Sequence, residues 1–149
     1  MNRYAHAFFC DDVRNEIGGK TSFIGVYSDK MLASSLPGTV PKLCVVISLH
    51  TAIDQRFESI SIRGEFRGQD VFKMDLEKDQ LQAMAAHVPE PSPDTKAFFI
   101  QLMAILSPLQ IEGPGKIRLH VVADGEELHC GGLVIDVAPP GAVPEQLIF

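Results

Sequence analysis

Apolar and polar residues alternate along much of the chain, and the period is most often two. Residues 58–66 show it most cleanly: Ile60, Ile62 and Phe66 fall on one side, and Ser59, Ser61, Arg63 and Glu65 on the other. Successive side chains of a strand point to opposite faces, so this pattern predicts a strand with one wet face. Residues 42–50 are apolar on both sides. Leu43, Val45, Ile47 and Leu49 share one face, and Cys44 and Val46 share the other with Ser48 and His50. That predicts a strand buried on both faces. The aromatic-rich segment 4–10 predicts a first strand ended by Asp11 and Asp12, and residues 21–28 a second, paired with the first through a long loop containing Gly18-Gly19. Residues 29–41, with Pro37-Gly38 and Pro41, read as an irregular connection. A turn at Gly68 and Asp70 returns the chain as another strand from Val71 to Leu76.

The period then changes. Leu81, Met84, Ala85 and Val88 stand at i, i+3, i+4 and i+7, which predicts one short helix over 77–88. Pro89, Pro91 and Pro93 end it and form a stiff, exposed link. Residues 96–106 are nearly all apolar. They suit a helix capped by Asp94 or a strand buried on both faces, and the strands around them favour the strand.

The strongest local signal lies at 116–137. Asp124-Gly125 between alternating arms predicts a two-residue type I′ turn, which sets 123 opposite 126, 121 opposite 128 and 120 opposite 129. Ile117, Leu119, Val121, Leu128 and Cys130 then face the core, and Arg118, His120, Glu127 and His129 face away. Leu133, Ile135 and Val137 resume the inward face one residue out of step, which predicts a bulge at Gly131-Gly132. The fold class expected is all-β: an antiparallel β-sandwich of about seven or eight strands with one short helix near 77–88. A single sandwich domain spans 1–138, and a proline-rich tail follows over 139–149.

Composition narrows the function classes. The 149 residues carry a formal net charge of −6, and Lys and Arg form no run, which disfavours nucleic acid and anionic membrane surfaces as partners. No apolar run approaches the ~18 residues of a membrane span. Three cysteines at long, uneven spacing argue against a disulfide framework or a zinc site of close cysteine pairs, and place the chain in the reducing cytoplasm. No cofactor motif is present. Gly18-Gly19-Lys20-Thr21 matches only the end of a phosphate-binding loop, and no Gly-x-Ser-x-Gly elbow occurs.

The stretch Phe8-Phe9-Cys10-Asp11-Asp12-Val13-Arg14, followed by Gly18-Gly19-Lys20, Ser22 and Ile24-Gly25-Val26-Tyr27, resembles a family of small bacterial proteins of unknown function. Residues Gly113 to Lys116 and Asp124 to Leu128 are similar to that family's closing hairpin. The resemblance implies a β-sandwich domain and transfers no activity and no catalytic residue.

Three residue sets remain as candidates. His120 and His129, as cross-strand neighbours, offer two imidazoles to a transition metal, with a solvent-facing pair as the plainer alternative. Asp11, Asp12 and Glu16 put three carboxylates near one loop, as a calcium site requires, or form a capped turn and a salt-bridging loop. Phe98, Ile100 and Leu102, with Leu147, Ile148 and Phe149 at the terminus, are apolar segments suited to an interface, or to burial in the chain's own core. Cys10 sits beside two acids, the wrong setting for a reactive thiolate. Together these point to a non-catalytic binding or assembly module, a homo-oligomer or a subunit of a larger complex. The alternatives are a metal-binding protein or metal-dependent enzyme, and a calcium-dependent sandwich module.

Overall fold

The computed structural model describes residues 2–141. Its elements in chain order are β1 (Tyr4–Glu16), β2 (Lys20–Val26), β3 (Lys30–Ala33), β4 (Gly38–Val40), β5 (Leu43–Ala52), β6 (Ile60–Phe66), β7 (Gln69–Leu76), α1 (Lys78–Ala85), β8 (Ala97–Leu106), β9 (Leu109–Ile111), β10 (Gly115–Ala123), β11 (Glu126–Leu128) and β12 (Leu133–Val137). One sheet has the order β2-β1-β5-β8 and is antiparallel throughout. The larger sheet has the order β3-β12-β10-β6-β7, with short β11 also on β10, and its β3–β12 pair is parallel. The short strands β4 and β9 pair separately.

The alternation read from the sequence decides how the two sheets meet. Phe9, Val45, Ile47, Leu49, Leu102 and Ala104 turn inward from the smaller sheet. Ile60, Ile62, Phe66, Ile117, Leu119, Val121, Leu133 and Ile135 turn inward from the larger, and all belong to one buried cluster. The architecture is therefore a two-layer β-sandwich closed by apolar side chains, the larger of which each contribute about 1.5–3 kcal/mol when fully buried. The turn at Asp124-Gly125 has φ of 50° and 80° at its two central residues, as a type I′ turn requires. Val121 pairs with Leu128 and Ile117 with Leu133, so four steps on β10 face five on the returning chain. That is the one-residue offset expected at Gly131-Gly132.

The structure departs from the sequence reading in four places. β1 runs on through Asp11 and Asp12 to Glu16, because β2 pairs with it across only Ile17-Gly18-Gly19. The loop is tight, not long. Residues 29–41 hold two short strands, β3 and β4, whose partners β12 and β9 lie far away in sequence. β8 is a strand, but it lies at the edge of its sheet and is buried on one face only. The helical stripe buries Leu81 alone, while Met84 and Val88 stay exposed. α1 begins with the amide of Glu77 donating to Gln80 Oε1 at 2.8 Å, half of a capping box.

Candidate interaction face

Inward-facing residues of the smaller sheet leave a second set pointing out. The register aligns that set into rungs across β1, β5 and β8: Tyr4–His50–Phe99, His6–Ser48–Gln101, Phe8–Val46–Met103 and Cys10–Cys44–Ile105. Val26 on β2 extends the last rung beside Cys10. No rung carries an ionised carboxylate, lysine or arginine. Phe99 is 62% exposed, Ile105 59%, Val26 55% and Tyr4 50%, and Met103 is exposed as well. β8 adds a ten-residue edge without a charged side chain, so the uncharged surface reaches the rim. Natural edges and outer faces ordinarily carry charge that keeps other chains away.

Two clusters structure this face. At one end Cys10, Cys44 and Val46 are fully covered by Phe8, Val13 and Phe23, with the Phe8 and Phe23 rings edge to face at 4.9 Å. Burial pushes the Cys10 thiol up to about 11, and burial likewise raises Cys44, so neither is a nucleophile near neutral pH. At the other end the His50 ring lies flat on Tyr4, centroids 4.5 Å apart and 3° from parallel, and stacks on Phe99 at 5.5 Å. His50 Nε2 stands 3.2 Å from His6 Nε2, so one ring donates a hydrogen bond to the other. Burial, and then the neighbouring His6, holds the His50 imidazole below its usual value.

The residues singled out from sequence are dispersed. Strand pairing stops at Leu128, so His129 is exposed one residue beyond the ladder, and on its other side His120 pairs with Arg63 of β6. His120 Nε2 lies 3.4 Å from Glu65 Oε2, beside a guanidinium that disfavours a bound cation. Asp11 accepts a 2.6 Å hydrogen bond from the Tyr27 hydroxyl and leans over Gly25, where a Cβ would collide with its carboxylate. Asp12 binds Lys42 at 2.6 Å, and that hydrogen bond, with the Val13 amide, holds its carboxyl below the usual range. Among the described residues Glu16 reaches Arg14 alone, at 3.8 Å. The three carboxylates therefore serve separate partners. Phe98, Ile100 and Leu102 face the core, so the open positions of β8 are their neighbours Phe99, Met103 and Ile105. Leu147, Ile148 and Phe149 lie outside the described residues.

A wide cleft lies between α1 and residues 53–59. Its central polar groups are held in structural bonds. Arg3 reaches Asp124 at 2.8 Å and packs on the Phe57 ring, and Asp124 accepts from the amides of Glu58 and Ser59. Among the described residues no three His, Cys, Asp or Glu side chains gather as a metal-holding group, and no helix is long and apolar enough to cross a membrane.

A family model described as a family of unknown function, DUF6941, matches residues 5–136, from the first core residue of β1 into β12. The chain belongs to DUF6941. No curated protein and no solved structure matches it. In this DUF6941 chain the face was hidden from sequence reasoning because its residues come from strands far apart. His6 and His50 are separated by 44 positions and meet only through β1–β5 pairing. The one legible signal was that residues 42–50 are apolar on both faces, which means that each face needs a cover.

Proposed function

We propose that this chain is a non-catalytic assembly module that associates with a second copy of itself through the outer face of the four-stranded sheet. One observation carries the reading: a sheet already covered on its inner face turns a second set of uncharged residues outward, and Tyr4, Val26, Phe99, Met103 and Ile105 among them stay exposed. An isolated exposed apolar side chain is ordinary, but a contiguous field of them is the mark of a contact surface. The chain is acidic overall, so two copies repel each other least where they bring together a face without ionised groups. A two-fold axis, the commonest symmetry of soluble homo-oligomers, would bring this same patch of both copies together. The three free thiols fit a reducing, cytoplasmic setting.

Light scattering across a dilution series tests the reading. The wild-type chain is expected to show the mass of a dimer that dissociates on dilution. Phe99→Glu, which puts a charge on the most exposed aromatic of the face, is expected to stay monomeric while folded. A wild-type monomer at every concentration would overturn the proposal.

A further inference from the structure

The apolar face has a polar centre. His6, Ser48, His50 and Gln101 sit together between the Tyr4 and Phe99 rung and the Phe8, Val46 and Met103 rung. Gln101 Nε2 donates to Ser48 Oγ at 3.4 Å, so those two partly satisfy each other. The imidazoles differ. Their ring centroids are 5.2 Å apart while their Nε2 atoms are 3.2 Å apart, so the rings meet by their tips and not by their faces. Two imidazole nitrogens bound to one zinc ion at about 2.0–2.1 Å stand roughly 3.4 Å apart at the tetrahedral angle. The observed spacing falls within a small ring rotation of that value. His50 is already fixed by the Tyr4 and Phe99 rings on either side, which is how a supporting shell orients a ligand.

We infer that His6 and His50 form half of an imidazole site for a divalent transition-metal ion, zinc being the type case, and that the same pair from a second copy completes it. This rests on the self-association proposed above. Two protein ligands leave a zinc site half filled, whereas two pairs related by a two-fold axis supply the four of a closed tetrahedral site. Covering the face would also strip water from four Nε2 atoms that hold one another only in pairs, by a single hydrogen bond within each copy. A shared ion provides one partner for all four. Imidazole donors without carboxylates or thiolates select zinc, copper or nickel over calcium or magnesium. The ion's charge is also attracted to a chain with a net charge of −6.

The full-length chain, stripped with a chelator and dialysed, is titrated with zinc chloride by calorimetry while its mass is followed by sedimentation. The expected result is saturation at one ion per two chains. Affinity should fall at least a hundredfold in His6→Gln, which changes an exposed side chain, and in His50→Phe, which keeps the aromatic stack. His129→Gln should bind as the wild type does. No saturable uptake, uptake of one ion per chain, or uptake unchanged by His6→Gln would overturn the site. The chelated wild type separates the two claims. A dimer that takes up no zinc removes the metal site and leaves the association standing. A monomer with and without zinc removes both. A chain that is monomeric when dilute, dimerises on concentration and is driven to the dimer by zinc upholds both.

Discussion

On the outer face of the larger sheet, Arg63 holds Glu65 at 3.1 Å and Asp70 at 3.0 Å, and Lys73 approaches Asp75 at 3.7 Å. On the outer face of the smaller sheet the ladder positions hold Tyr4, Phe8, Phe99, Met103 and Ile105. Both sheets fill the same core with the same kinds of apolar side chain, and they differ in what they turn away from it. A salt-bridged outer face is finished by water, because exposed ions keep their hydration and gain little from one another. An apolar outer face is unfinished, because every exposed ring orders solvent that a second surface would release. The comparison teaches that burial in the shared core accounts for the inward positions of the smaller sheet, whereas outward positions such as Phe99, Met103 and Ile105 stay exposed, and these are the ones the proposed association would cover.

Substitutions can set the inner and outer faces of one sheet against each other. Ile47→Ala on the inner face should have the largest effect, about 3 kcal/mol of stability or more by urea unfolding, because the side chain is fully buried and leaves a cavity. Its folded fraction should still associate. Phe99→Glu on the outer face should reverse that pattern. Association weakens by about thirtyfold or more, roughly 2 kcal/mol, while monomer unfolding changes by about 0.5 kcal/mol or less. Equal effects of the two changes on association would erase the distinction between the faces.

Asp124 tests how the larger sheet is fastened at its turn. Burial alone opposes its ionisation. The amides of Ser59 and Glu58, with the Arg3 guanidinium, outweigh that and hold the carboxyl below its usual value. A carboxyl depressed in the folded state contributes stability that is fully present above its unfolded value near ~4. That stability is lost as the pH falls through the lower folded value. Asp124→Asn keeps a side chain that tolerates the positive φ of the turn, so about 1–2 kcal/mol should be lost at neutral pH. The gap from the wild type should close as the solution is acidified below about pH 4. A gap that widened on acidification would contradict the role given to Arg3 and the amides. Arg63→Ala, on the salt-bridged face, should have the smallest effect, leaving the unfolding midpoint and the oligomer mass within experimental scatter, since its ion pairs are exposed.

Much of this architecture is legible in the sequence wherever structure is local. The Asp124-Gly125 turn, its register and the one-residue offset follow from residues within a few positions of each other. The alternation of Ile60, Ile62 and Phe66 needs no partner to be read. Illegible were elements defined by remote partners. β3 exists because β12 lies beside it, and β8 is an edge because β5 is its one strand neighbour among the described residues, a pairing its own residues do not encode. The phase of β8 was invisible for the same reason. In Ala97–Leu106 almost every position is apolar, so alternation cannot say which half faces the core, and Phe98, Ile100 and Leu102 read as contact positions where Phe99, Met103 and Ile105 stand open. The histidine pair expected at His120 and His129 required the ladder to run one residue beyond Leu128, where it stops. The pair that the fold does assemble, His6 with His50, carries no local signature at all.

Methionine oxidation gives the most direct measurement of the central claim, because the chain carries its own reference. Met103 on the outer face is 40% exposed and Met84 on α1 is 39% exposed, so in an isolated chain peroxide should reach them alike. If two copies cover the smaller sheet, Met103 oxidises more slowly than Met84 in concentrated solution, and the two rates converge on dilution. Equal rates at every concentration would mean that the face stays open to water and that no second copy sits on it.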